Sequence, residues 1–171
     1  MTISRTCWLS ALTESYCGVI LINVGHYRLS MPVQEKKILR VLESYREENL
    51  NVPVIVEGTK DMECLRKLDF TGEVIPLNNG RTLLNFSEEL SRKYRKVIIL
   101  TDFDRKGSEL KSEISAYLES LGTGVDTKLW DYFRKNLPVR TVEELPRAVE
   151  KKLEENRKLV DSLKISRRLD R

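Results

Sequence analysis

Three carboxylates carry the chemistry that the sequence suggests first. Glu57 closes the apolar run "VPVIVEG" at residues 52–58, and Asp102 and Asp104 follow directly on the run at 97–100 in "KVIILTDFDRKG". A glutamate at the end of a buried strand is costly unless something pairs with it. If the two stretches meet, three carboxylates repel one another, and a hard divalent cation such as Mg²⁺ is the usual resolution. Each residue also has a purely structural role open to it. Glu57 could pair with Arg81, Arg105 or Lys106, and Asp104 could cap the helix that begins near Gly107. Asp-x-Asp alone does not separate these readings.

Whether the carboxylates meet depends on the elements that carry them. Pro32, followed by Ile38, Leu39, Val41, Leu42 and Tyr45, reads as an amphipathic helix with proline in its first turn. Residues 52–58 are a short β-branched run broken by glycine, which predicts a buried strand. A helix capped at Gly58 or Thr59 runs through Met62, Leu65 and Leu68 and stops near Asp69 and Gly72. "EVIPL" at 73–77 predicts a second strand, and "NNGR" at 78–81 a turn. Leu83, Leu84, Phe86, Leu90 and Tyr94 mark the next helix, and the third strand follows. Gly107 then opens a helix with Leu110, Ile114, Leu118 and Leu121 on one face. Residues 125–133 read as a fourth strand or a strand leading into a helix, with Trp130 and Phe133 in the core. Residues 141–153 read as a helix with a Thr141–Glu144 capping box.

Continuous apolar strands alternating with amphipathic helices mean an α/β fold, a parallel sheet covered on both faces. All its strands point one way, so the loops after them share one rim, where ligands bind. The first strand brings Glu57 and Gly58 to that rim, and the second brings Asn78, Asn79, Gly80 and Arg81. The third brings Asp102 and Asp104. Gly58, Gly80 and Gly107 let the backbone come close to a phosphate or a metal. Arg81, Arg105 and Lys106 suit phosphate contacts and suit solvated surface charge equally well.

As a joint pattern, "VIVEGTKD" and "VIILTDFDRKG" resemble the Toprim domain. That domain is shared by type IA topoisomerases, bacterial primases, the overcoming-lysogenization-defect nucleases, recombination mediators and the ribonuclease that matures bacterial 5S rRNA. The family pattern is a strand-terminal Glu-Gly with Asp three residues on, then Asp-x-Asp with a glycine three residues later. Glu57, Gly58, Asp61, Asp102, Asp104 and Gly107 fill it in order. The resemblance covers roughly residues 52–130 and is nearest to the small stand-alone Toprim proteins of archaea and to the 5S rRNA maturation ribonuclease. It implies a Rossmann-like parallel sheet of about four strands with helices on both faces. It also implies Mg²⁺, with Mn²⁺ as a substitute, held by Asp102, Asp104 and Glu57. Glu57 would be a metal ligand or the general acid/base at a scissile phosphodiester, with Asp61 in support and RNA or DNA as partner. Cleavage is the activity it favours; primase-like nucleotidyl transfer and metal-assisted binding without turnover are the alternatives.

The sequence departs from the larger relatives. It shows no tyrosine on a second domain, as strand passage by a topoisomerase requires, and no zinc ribbon like that of bacterial primases. Phe103 stands between the aspartates where several relatives have small or polar residues, which leaves ligation undisturbed. A phosphatase of the haloacid dehalogenase type also ends a strand in Asp-x-Asp. It places the motif on its first strand, however, with a hydroxyl residue where this chain has Lys106. A non-catalytic nucleic-acid-binding module would use the basic tail and "SRKYRK" at 91–96. That stretch precedes the third strand, at the opposite end of the sheet from the carboxylates.

Composition narrows the remaining classes. The 171 residues suit one domain with an appendage, and 40% hydrophobic with 33% charged residues is ordinary for a globular protein. A net charge of +4 permits a nucleic-acid partner without arguing for one. His26 is the single histidine, which removes most Ser/His/Asp and HExxH schemes. Cys7, Cys17 and Cys64 form no CxxC pair, so a reducing, cytoplasmic location fits. Residues 1–30 hold two basic residues and one acidic one, against 28 and 25 in the rest. Their apolar run at 17–24 is too short to cross a bilayer, and no membrane partner is expected. Glu14 and the lack of a clean cleavage site argue against a signal peptide. The expected organisation is an N-terminal extension over 1–30, a Toprim domain over 31–138 with its motif core at 52–130, and a C-terminal helix and basic tail over 139–171.

Overall fold

The computed structural model describes residues 21–24, 27–30, 33–77 and 80–155. Expectations for the rest of the N-terminal extension and for the basic tail beyond residue 155 lie outside the described residues. The chain divides into two compact units, one of them Ile38–Lys152. In the other, β1 (Leu21–Val24) and β2 (Tyr27–Ser30) pair antiparallel, with Leu21 opposite Ser30 and Val24 opposite Tyr27.

Helix α1 (Val33–Asn49) leads to β3 (Val54–Val56), a strand of three fully buried β-branched residues. Next come α2 (Thr59–Lys67), β4 (Val74–Pro76), α3 (Leu83–Lys93) and β5 (Lys96–Ile99). They are followed by α4 (Arg105–Ser120), β6 (Gly124–Asp126) and α5 (Lys128–Asn136). A 3₁₀ turn at Val142–Glu144 then opens into helix α6, described over 145–155. The strands are shorter than the apolar runs that announce them. Pro53, Glu57, Glu73 and Leu77 lie just beyond the strands, although Pro53 O, Glu73 O and Leu77 N–H still join the interstrand hydrogen bonds.

The sheet is parallel, in the order β4-β3-β5-β6. From β3 the chain steps outward to β4 and then returns across β3 to β5. With right-handed crossovers, α2 must lie on one face and α3 and α4 on the other. Packing agrees: Ile55, Val97 and Ile99 cluster with Phe86 and Leu90 of α3 and Ile114 and Leu118 of α4. The opposite face carries α1. The Tyr45 hydroxyl donates to Asp126 Oδ1 at 3.0 Å, and Asp126 is level with Ile98, a residue alternate to Val97 and Ile99. The reversal between β3 and β5 is a topological switch point, where loops leave for opposite faces and open a crevice at the strands' carboxyl ends.

Two elements differ from expectation at their ends. The helix after β5 starts at Arg105, capped by Asp104, so Gly107 lies inside its first turn. The Thr141–Glu144 capping box does not form. The Thr141 side chain makes no cap bond, and Glu144 Oε2 instead accepts from Arg140 N–H at 2.7 Å. The 3₁₀ geometry of the turn changes the reach that an α-helical box needs. Val142, Leu145 and Val149 belong to the core of the Ile38–Lys152 unit, the first two fully buried.

Candidate metal centre

Glu57 and Asp102 meet at the switch point because Ile55 and Ile99 are in register on adjacent strands. Two residues past that register Glu57 leaves the sheet, and Asp102 N–H donates to its Oε1 at 3.0 Å. Glu57 is therefore answered by the main chain of the aspartate loop. Of the cations that could have paired with it, Arg81 pairs with Glu89 on α3 and Arg105 pairs with Glu109 one turn along α4.

The aspartate loop is shaped by what lies between and after its carboxylates. Phe103 is buried against Trp130 and Phe133, with ring centroids 5.8 and 6.4 Å away. Its burial leaves Asp104 exposed and Asp102 partly exposed on either side of it. Asp104 Oδ1 accepts from Gly107 N–H at 2.7 Å, so the expected helix cap is real. Gly107 must be glycine for a different reason: a Cβ there would lie 2.2 Å from the Asp102 carbonyl oxygen. Thr101, fully buried, donates its hydroxyl to Gly107 O at 2.9 Å and locks the loop against α4.

Asp61 is buried, and its Oδ2 accepts from Gly58 N–H at 2.9 Å, closing the start of α2. Burial raises its pKa, opposed by the Gly58 amide and reinforced by the charge of Glu143. Asp61 thus supports the loop that carries Glu57. Asp102 is raised further, from an ordinary 3.8 to about 6, first by burial and then by the charges of Glu57, Asp61 and Asp104. The Val142 amide, which donates to Asp102 Oδ1 at 2.9 Å, works the other way.

Among the described residues, no three His, Cys, Asp or Glu side chains are already gathered into a ligand set. The donor chemistry nevertheless suits a hard cation. Glu57, Asp102 and Asp104 each commit one oxygen to a backbone N–H and have a second oxygen with no hydrogen-bond partner among the described residues. Their mutual repulsion, registered at Asp102, is what a divalent ion would relieve.

The other expected contacts are less concentrated. Gly58, the N-cap of α2, has room beside it, and Gly80 is exposed with φ +76°. Lys106 is exposed in the first turn of α4, and Arg105 is almost wholly in solvent. Asn79 lies outside the described residues. Two groups escaped the motif pattern. Val142 N–H reaches Asp102 from 40 residues away, and Trp130 Nε1 donates to the carbonyls of Thr101 and Asp102 at 3.0 and 3.2 Å. The sequence marks Trp130 as a core residue but carries no signal for either bond. No helix among the described residues is long and apolar enough to cross a membrane.

Comparison with known proteins places these features in a family. The Toprim domain family model matches residues 52–130. A UPF0292 protein of Thermoplasma volcanium is 51% identical over 67% of this chain and 96% of its own length. A UPF0292 protein of Methanocaldococcus jannaschii is 34% identical over 69% of this chain and 94% of its own. Among solved structures, a putative protein from Aquifex aeolicus superposes with a TM-score of 0.56 at 25% identity, over 63% of this chain and 96% of that one.

Proposed function

The chain belongs to the Toprim domain family, and on that premise we propose that it is a Mg²⁺-dependent enzyme that cleaves phosphodiester bonds in RNA or DNA. Membership points to a metal-dependent, nucleic-acid-related function. The observation that carries the more specific proposal is the Asp102–Glu57 hydrogen bond, which brings the two halves of the carboxylate pattern together at the switch point.

Asp102, Asp104 and Glu57 would hold the cation through their uncommitted oxygens, and Mn²⁺ would substitute for Mg²⁺. When bound, the cation supplies charge neutralisation on the phosphate's nonbridging oxygens. If the uncommitted oxygen of Glu57 does not ligate the cation, it would instead move a proton to or from the attacking or leaving oxygen. Gly107 keeps the first turn of α4 tight against the aspartate loop. Arg105 and Lys106, in that turn, offer positive charge to the flanking phosphates.

The test is incubation of the purified protein with end-labelled single- and double-stranded RNA and DNA in Mg²⁺, Mn²⁺ or EDTA. Metal-dependent shortening of a labelled strand, abolished by Glu57→Gln, is the expected result. Salt-dependent binding with no turnover under any divalent ion, unchanged in the variant, would replace the enzyme by a binding module.

A further inference from the structure

The segment after α5 grips the aspartate loop, although nothing in the motif pattern assigns it a part in the site. Val142 N–H donates to Asp102 Oδ1 at 2.9 Å, and Arg140 O accepts from Phe103 N–H at 2.9 Å. From α5, Trp130 Nε1 donates to the carbonyls on either side of the Thr101–Asp102 step. Side chain and main chain of Asp102 are thus held by donors from two different elements.

The gripping segment is itself fixed. Val142 and Leu145 are fully buried, Trp130 is nearly so, and Glu144 Oε2 accepts from Arg140 N–H. Cys64 Sγ donates to Glu143 O at 3.7 Å, which joins the 3₁₀ turn to α2, the helix that follows Glu57. One turn therefore touches both arms of the carboxylate rim.

We infer that the Val142 amide and the Trp130 indole are positioning groups for the cation site, setting Asp102 with Oδ1 turned onto the protein and Oδ2 left for the ion. The inference rests on the metal assignment made above. Neither group can ligate a cation, because an N–H is a donor only. Each can orient a ligand, as the hydrogen-bond partners of metal-binding carboxylates do. A carboxylate free to rotate would have to be ordered when the ion binds; this one is ordered beforehand.

The geometry offers a clean probe. Val142 is the first residue of its turn, where an N–H is not needed by the turn itself, and Thr141 before it is extended (φ −127°, ψ 159°). Both conditions accommodate proline, so Val142→Pro deletes the donor while an apolar ring fills the site. Val142→Ala is the converse: it keeps the N–H and loses buried side-chain volume. Trp130→Phe keeps an aromatic ring beside Phe103 and removes the indole N–H.

Mn²⁺ affinity of the 171-residue chain, read by electron paramagnetic resonance, with melting curves to confirm folding, decides the matter. Val142→Pro and Trp130→Phe should each weaken Mn²⁺ binding on the order of 10–100-fold, while Val142→Ala should stay within about twofold of wild type. If Val142→Pro does not fold, Trp130→Phe alone carries the comparison. Wild-type affinity in the folded donor-deleting variants, or equal weakening in Val142→Ala, overturns the inference. Failure of the wild-type chain to bind Mn²⁺ at all removes the metal assignment first, and is seen before any variant is compared.

Discussion

The main-chain N–H of Asp102 donates to Glu57 Oε1 at 3.0 Å, so two acidic residues 45 positions apart are joined by one bond at the crevice between β3 and β5. Because the donor is backbone, the bond does not depend on the charge of the Asp102 side chain. An amide oxygen in place of the Glu57 carboxylate oxygen could accept it equally.

Glu57→Gln should therefore fold with a melting temperature close to wild type and bind nucleic acid nearly as well. Turnover should fall on the order of 10²–10⁴-fold, the usual consequence of removing a proton-handling group. Single-turnover rates measured beside a binding isotherm check both halves. Equal turnover in the variant would remove Glu57 from the chemistry.

Asp102 gives the apo protein a pH signature. Its pKa of about 6 in the folded chain lies above the ordinary 3.8, so the folded state holds this proton more tightly than the unfolded one. Stability from this group is then lost as pH rises from the ordinary carboxylate range to about 6, and the penalty is complete above it. Asp102→Asn, which cannot ionise, should melt a few degrees above wild type at pH 7.5 without divalent ions, with a much smaller advantage at pH 4.5. Mg²⁺ should raise the wild-type melting temperature and leave the variant nearly unmoved. An advantage of the same size at both pH values would show that ionisation of Asp102 is not its cause.

Gly107 and Gly58 should respond differently to the same change. A Cβ at Gly107 meets the Asp102 carbonyl oxygen at 2.2 Å, whereas at Gly58 the nearest atom is Asp61 Oδ2 at 3.8 Å. Gly107→Ala should cost about 1–3 kcal/mol and weaken Mn²⁺ binding, because the aspartate loop must shift to admit the methyl group. Gly58→Ala should cost under about 1 kcal/mol at an extended N-cap. Urea denaturation of the two variants distinguishes them, and equal losses would contradict the close approach.

Charge reversal at Arg105 and Lys106 probes the approach of phosphate. Arg105 spends part of its charge on Glu109 one turn away, while Lys106 is exposed in the same turn. The double variant to Glu should bind nucleic acid more weakly and with a flatter salt dependence, the slope falling by roughly one for each phosphate no longer neutralised. Binding measured across a salt series settles it. An unchanged slope would place the nucleic acid elsewhere.

The sequence by itself determined the sheet and the rim. Runs such as Val54-Ile55-Val56 and Val97-Ile98-Ile99 can be buried on both faces only as interior parallel strands, and that fixes which end of each strand carries Glu57, Asp102 and Asp104. The glycine three residues after Asp104 was legible as part of the pattern, but its reason was not: the close neighbour that excludes a side chain there is the Asp102 carbonyl oxygen. Tertiary structure alone decided what holds those carboxylates. It matched Arg81 and Arg105 to glutamates on the helices beside them, denied Thr141 its capping bond, and set the Val142 amide on Asp102. The reason is physical: almost every residue carries the same backbone N–H, so no residue type marks the one that will donate. Which amide reaches Asp102 depends on where burial of Val142 and Leu145 brings the chain back to the sheet, 40 residues later.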